Sequence, residues 1–207
     1  MDPIDSPAVQ LDEHGLLQDS TTLAHGVHLT PEDIQLLAER GSAVVHCPIS
    51  NLKTAAGFAP LPALKEAGVP ILLGTDGTSS SNDLDMWKTM RFAAILARSD
   101  IGDPTFNRAL DVVRMATTDA ARKLGMGEKL GSLEAGKIAD LIMVRLDQPH
   151  LTPLYDVYSQ LVYAVGRDDV TDVFILGRPV MRDGELLTLD ERWIMDQARR
   201  KAVEIAQ

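Results

Sequence analysis

The sequence predicts an α/β fold in which repeated strand-helix units build a parallel sheet, followed by a smaller sheet of short antiparallel strands. Three observations predict it. Apolar strand-like runs at Thr22-Leu23-Ala24, Ala43-Val44-Val45 and Val69 to Thr75 are each followed by a turn and a helix-like stretch. Each run leads into a side chain able to do chemistry: His25, His46 and Asp76. Beyond about residue 126 the turn signals crowd together and the strands shorten. Parallel strands bring their C-terminal ends to one face, and that face is where active sites of such folds are built.

Taken in order, residues 1–20 are polar, interrupted by Pro3, Pro7 and Gly15, and read as a lead-in segment in which Val9 to Leu17 could turn once or twice as a helix. After the first strand, Thr30-Pro31-Glu32-Asp33 starts a helix: Thr30 caps, Pro31 suits the first helical position, and the acids favour the positive end of the helix dipole. Gly41 stops it. The second strand ends at His46-Cys47-Pro48, and residues 50–57 read as a loop of small residues. A helix from about Leu61 to Ala67 feeds the third strand. Residues 77–82 form a Gly/Ser loop, Leu84 to Ala97 a strong helix, and Arg108 to Leu124 another, ending at Gly125. From Gly131 onward the pattern is strand at Ala139–Val144, strands at Val170–Leu176 and Pro179–Met181, a tight turn at Asp183-Gly184 and a closing helix from Asp190 to Ile205. The expected domains are 1–20, 21–126 and 127–207.

The chain has 207 residues, short for a complete eight-stranded barrel of roughly 250. Its net charge of −10 disfavours nucleic acid and anionic membrane, because phosphate binding needs a basic surface to release counterions. A small molecule is the expected partner. With the single cysteine Cys47 no internal disulfide forms. The N-terminus lacks the basic and apolar regions of a signal peptide, and no apolar run reaches transmembrane length, so the expected location is cytoplasmic.

Among the candidate site residues, His25 and His28 are three apart and point to opposite faces unless the strand ends between them. Either would equally well hydrogen-bond a loop carbonyl. Gly26 permits close backbone approach beside His25. Asp76 could cap the following helix or bind a divalent metal and take a proton from metal-bound water. His46 is placed to line a pocket and bind substrate, whereas Cys47 reads as a small buried apolar residue. Met86, Met90, Met115 and Met126 read as core, and Asp83-Leu84-Asp85 and Asp168-Asp169 as solvated faces or helix caps. No phosphate loop, serine nucleophile elbow or paired-cysteine zinc motif is present.

In order, the segments LAHGVHL, VVHCPISNLK, LLGTDG and GSLEAGKIADLIMV resemble the amidohydrolase superfamily, in its aminohydrolase branch of 5-methylthioadenosine/S-adenosylhomocysteine deaminases, chlorohydrolases and guanine deaminases. The resemblance runs from about Leu16 to Leu189. It implies the C-terminal part of a (β/α)8 TIM-like barrel, about its last three βα units, followed by a small β-sandwich portion. It also implies hydrolytic deamination of a purine-like or other heterocyclic substrate with one divalent metal, zinc or iron. His25 would then be the sixth-strand histidine that orients the attacking water. Asp76 would be the eighth-strand aspartate that ligates the metal and accepts the proton.

The family's first-strand His-x-His pair, its fifth-strand histidine and the following glutamate have no counterpart here, so the chain is expected to be an incomplete site. Its expected protein partner is a second copy or a complementing N-terminal half. Two other readings compete: a non-catalytic binding or scaffold remnant, and a self-contained metal site made of His25, His28, His46 and Asp76.

Overall fold

The computed structural model describes residues 6–205. The lead-in is folded onto the rest. Helix α1 (Pro7–Glu13) starts with Ser6, whose hydroxyl accepts from Ala8 N, and buries Ala8; Leu17 behind it enters the core. Strand β1 (Thr22–Ala24) follows, then α2 (Pro31–Arg40). Thr30 and Asp33 exchange side-chain and backbone hydrogen bonds as a capping box, and Gly41 at φ 68° ends the helix. The Arg40 guanidinium clamps Asp12 of α1 through two bonds of 2.5 and 2.9 Å, and Ser6 donates to Asp33.

Strand β2 (Ala43–His46) runs into α3 (Pro48–Lys53) and then α4 (Leu61–Glu66), which leads to β3 (Ile71–Leu73). The stretch read as a loop from residue 50 therefore begins as helix. Pro48 supplies a preset φ at the first turn, and Thr54 closes the end by donating to the Ser50 carbonyl at 2.8 Å. The three strands are parallel in the order β1-β2-β3, with Leu23 opposite Val44 and Val45 opposite Leu72. They are short, but β2 has both edges paired and its Ala43 and Val44 are wholly buried.

After β3 come α5 (Thr78–Ser81), α6 (Met86–Ile101), α7 (Ala109–Ala116) and α8 (Thr118–Lys123). The Gly/Ser loop thus contains a single helical turn, in which Ser80 and Ser81 hydroxyls return to the Gly77 carbonyl. The one helix expected over 108–124 is two. Thr117 leaves helical geometry at φ −132°, ψ −93°, and its hydroxyl donates back to the Val113 carbonyl at 2.7 Å, a local bond that competes with helix continuation. A continuous core of Ile34, Leu37, Val44, Leu64, Ile71, Met90, Ala94, Val112 and Met115 joins the sheet to these helices. Full burial of each such large side chain contributes about 1.5–3 kcal/mol. Met86 packs at the margin of that core and Met126 is half-buried.

The remaining elements are β4 (Leu141–Val144), α9 (Val157–Tyr163), β5 (Val170–Ile175), β6 (Arg178–Arg182), β7 (Glu185–Leu186) and α10 (Glu191–Ile205), with single 3₁₀ turns at Pro149–Leu151 and Arg167–Asp169. The four strands form one antiparallel sheet in chain order, so among the described residues the C-terminal region is a single sheet rather than two packed layers. Ile142, Met143, Ile175 and Leu176 are exposed on it, and α10 buries no residue.

Helix α9, unread in the sequence, returns across the position taken as a boundary at 126. Val162 joins the first core, and Arg91 of α6 donates to the carbonyls of Val162 and Val165 at 3.2 and 3.0 Å. Burial also closes over two of the acids placed on solvated faces or caps. Asp85 caps α6 by accepting from Lys88 N, and Asp169 accepts from Gly166 N and pairs with His150 at 3.1 Å.

Candidate functional site

His25 and Asp76 stand one residue past β1 and three past β3, and both have left-handed backbones, φ 68° and φ 60°. For residues with a Cβ this conformation costs on the order of 1 kcal/mol or more and persists where the surroundings enforce it. At His25 the enforcement is visible. Its N–H still donates to the Val45 carbonyl at 2.9 Å, so the sheet ladder holds the backbone while the side chain swings to the mouth. Gly26 follows at φ 64°, where a Cβ would lie 2.9 Å from Val44 Cγ1. Gly74, before Asp76, is equally confined: a Cβ there would meet Val45 Cγ1 at 2.8 Å and Cys47 Sγ at 3.1 Å.

These placements bring His25 Nε2 to 3.8 Å from Asp76 Oδ2, with the side chains 42% and 29% exposed. Between them, in sequence and in space, lies the start of α3. Ser50 Oγ donates to Asp76 Oδ2 at 2.5 Å, and the next residue, Asn51, places Oδ1 2.8 Å from His25 Nδ1. Ser80 of α5 donates to the same Asp76 oxygen at 2.7 Å, and Gly77 N to Oδ1 at 2.6 Å. Donation from Ser50, then Ser80 and Gly77, holds the Asp76 carboxyl down at about 2, with a smaller push from His25. Asp76 is therefore ionised at any ordinary pH.

Ser50, Asn51 and Ser80 were not singled out in the sequence. The available signal was Pro48: a helix starting there puts residues 50 and 51 about 100° apart, able to serve two different neighbours.

Of the other sequence candidates, Cys47 packs against the backbone of both residues of this pair. His46 ends β2 with its ring buried, its Nδ1 lacks a hydrogen-bond partner among the described residues, and burial lowers its pKa to about 4. Cys47 is buried, and desolvation followed by the Asp76 charge raises its thiol pKa, which suits a packing residue rather than a ligand. His28 is exposed on the turn after β1. Among the described residues no group of three His, Cys, Asp or Glu side chains is close enough to hold a metal ion, so the self-contained site of His25, His28, His46 and Asp76 is not formed. Catalytic zinc takes three protein ligands, and the residues present do not fit a metal by themselves. No helix among the described residues is long and apolar enough to cross a membrane.

A histidine and an ionised aspartate thus stand in near contact at the strand tips of one parallel sheet, an arrangement of the TIM-barrel type. The sequence model of the amidohydrolase family matches residues 5–180. The chain is 45% identical over 197 residues to a 5-methylthioadenosine/S-adenosylhomocysteine deaminase of Desulforudis audaxviator, and 46% identical over 196 residues to one of Moorella thermoacetica. In both cases the match covers 95% of this chain and 46% of the relative. Among solved structures, an adenosine deaminase from Xanthomonas campestris with bound zinc superposes with a TM-score of 0.94 at 45% identity, covering 99% of this chain and 47% of that one. Atrazine chlorohydrolase from Arthrobacter aurescens TC1, complexed with zinc, gives 0.87 at 27% identity, covering 94% and 43%.

The chain belongs to the amidohydrolase family and has its TIM-barrel type of fold. It spans about half the length of the curated relatives it matches. The superfamily is typically dependent on a divalent metal.

Proposed function

We propose that this chain is the C-terminal half of a metal-dependent deaminase, contributing the sixth, seventh and eighth βα units of the barrel. Its reaction is hydrolytic removal of an amino group from a purine-like heterocycle, and the relatives' names point to 5-methylthioadenosine, S-adenosylhomocysteine or adenosine as substrates. The observation that carries the reading is the 3.8 Å approach of His25 Nε2 to Asp76 Oδ2 across the mouth of β2, from the two outer strands of one parallel sheet.

Both atoms can touch a single water lying on their open side. Asp76, ionised and held by three donors, accepts a proton from that water as its oxygen bonds to the ring carbon bearing the amino group, and that proton passes on to the amino nitrogen as the C–N bond breaks and ammonia leaves. His25 orients the water through Nε2. Asp76 is also the residue this chain would offer to a zinc or iron ion, the other ligands coming from a complementing N-terminal half. His46, buried with an unpartnered Nδ1, lines the floor of the completed substrate pocket.

The test joins this chain to the N-terminal half of the Moorella thermoacetica relative and measures ammonia release from the three nucleosides. The joined protein is expected to deaminate at least one of them, and Asp76→Asn to lower turnover by about 10²–10⁴-fold, the range for a positioned proton acceptor. Undiminished turnover in Asp76→Asn would remove the role given to Asp76. No deamination by a folded, zinc-loaded joined protein would leave the non-catalytic remnant as the better reading.

A further inference from the structure

Asn51 is 2% exposed and rigidly held. Its N–H donates to the Cys47 carbonyl at 3.0 Å and its own carbonyl accepts from Ala56 N at 2.8 Å, so both ends of the residue are pinned by the turn of α3. Its side chain does two unequal things. Oδ1 lies 2.8 Å from His25 Nδ1, while the buried Nδ2 finds no hydrogen-bond partner among the described residues. A buried amide left half unsatisfied carries a desolvation cost, and an arrangement carrying that cost invites a reason.

The reason lies in the imidazole. An acceptor at Nδ1 requires that nitrogen to carry hydrogen, which leaves the neutral ring with its lone pair on Nε2, the atom 3.8 Å from Asp76. The reversed amide would donate to Nδ1, put hydrogen on Nε2, and leave no lone pair facing the mouth. Only the first arrangement lets Nε2 accept hydrogen from a water and release it again without disturbing the bond to Asn51. We propose that Asn51 is a positioning residue that fixes His25 as its Nδ1–H tautomer with the Nε2 lone pair turned toward Asp76. The inference deepens the reading of His25 as the group that orients water, and rests on it. Asn51 touches no reacting atom and acts through His25.

The experiment is nitrogen-15 NMR of histidine-labelled protein at pH 8, with the His25 ring identified by its loss in His25→Gln. Wild type is expected to show a protonated-type Nδ1 and an unprotonated Nε2. Asn51→Leu should move His25 to predominantly Nε2–H, and Asn51→Asp, which keeps an acceptor in place, should return it to Nδ1–H. A wild-type ring carrying hydrogen on Nε2 overturns the proposal, as does an unchanged tautomer in folded Asn51→Leu. If Asn51→Leu does not fold, wild type and Asn51→Asp decide alone, and Nε2–H in either one overturns it. The tautomer is read without turnover, so its failure is distinguishable from failure of the deaminase reading, which is judged by ammonia release from the joined protein.

Discussion

Ser50 donates its hydroxyl hydrogen to Asp76 Oδ2 at 2.5 Å, reaching from the helix after one strand to the tip of the next. This bond is the largest single cause of the low Asp76 pKa, so the carboxylate is kept ionised chiefly by a neighbour from a different βα unit. One short helix, through residues 50 and 51, thus touches both chemical tips of the sheet.

Ser50→Ala should let the Asp76 pKa rise from about 2 toward its ordinary 3.8, because a donor to the charged form is lost. Between pH 2 and 4 the variant would then bind a proton that wild type does not. Carbon-13 titration of the carboxyl resonance reads this, and an unshifted midpoint would show that Ser80 and Gly77 suffice.

His46 sets a pH dependence of stability. Its folded pKa of about 4 lies below the ordinary 6.5, so the unfolded chain binds the proton first. Its contribution is complete above about pH 6.5 and is lost as pH falls toward 4, a change on the order of 3 kcal/mol. Urea unfolding of wild type and His46→Gln at pH 7.5 and 4.5 checks the sign. The wild-type loss on acidification should exceed that of the variant, and equal losses would contradict it.

Gly26→Ala should destabilise the fold by about 1–3 kcal/mol. The residue sits at φ 64°, and an added Cβ would lie 2.9 Å from Val44 Cγ1 and 3.1 Å from Leu29 Cδ1 in a packed region. A urea midpoint equal to wild type would show that Val44 can yield.

Lys123 is a buried cation that donates to the carbonyls of Asp19 and Gly41 and pairs with the Asp19 carboxylate at 2.9 Å, tying the lead-in, the end of α2 and α8 together. Lys123→Met keeps the stem and removes the donors. Amide exchange in residues 16–22 should accelerate by about tenfold, for a local loss of about 1.4 kcal/mol, while exchange in α6 is unchanged. Equal acceleration in both would point to global destabilisation instead.

Zinc binding separates what this chain holds from what it awaits. Titration of the chain alone should show no stoichiometric micromolar site, since no three-ligand group exists among the described residues. Joining the N-terminal half of the Moorella thermoacetica relative should create one that Asp76→Asn weakens. Tight binding by the chain alone would overturn this.

The legible parts were those governed by neighbours in sequence. The Thr30 cap, the Gly41 stop, the three apolar runs and the Asp183-Gly184 turn are each fixed within a few residues, and the structure has them where the pattern places them. Helix α9 and the break at Thr117 were not legible. One is held by burial of Val162 and Val165 against α6, the other by a hydroxyl competing with the helix ladder.

The sequence by itself determined the family, the parallel strand-helix order and which polar residues stand just past the strand ends, because residue type and local period carry that information. Which groups serve those tips was decided only by tertiary structure. Ser50 and Asn51 are 26 residues from their partners Asp76 and His25, and only the parallel pairing of β1, β2 and β3 brings them within hydrogen-bond reach. The same folding sealed His46 and Cys47 away from solvent and left His28 outside, a distinction that alternation along a strand could not make once the chain turned left-handed at His25.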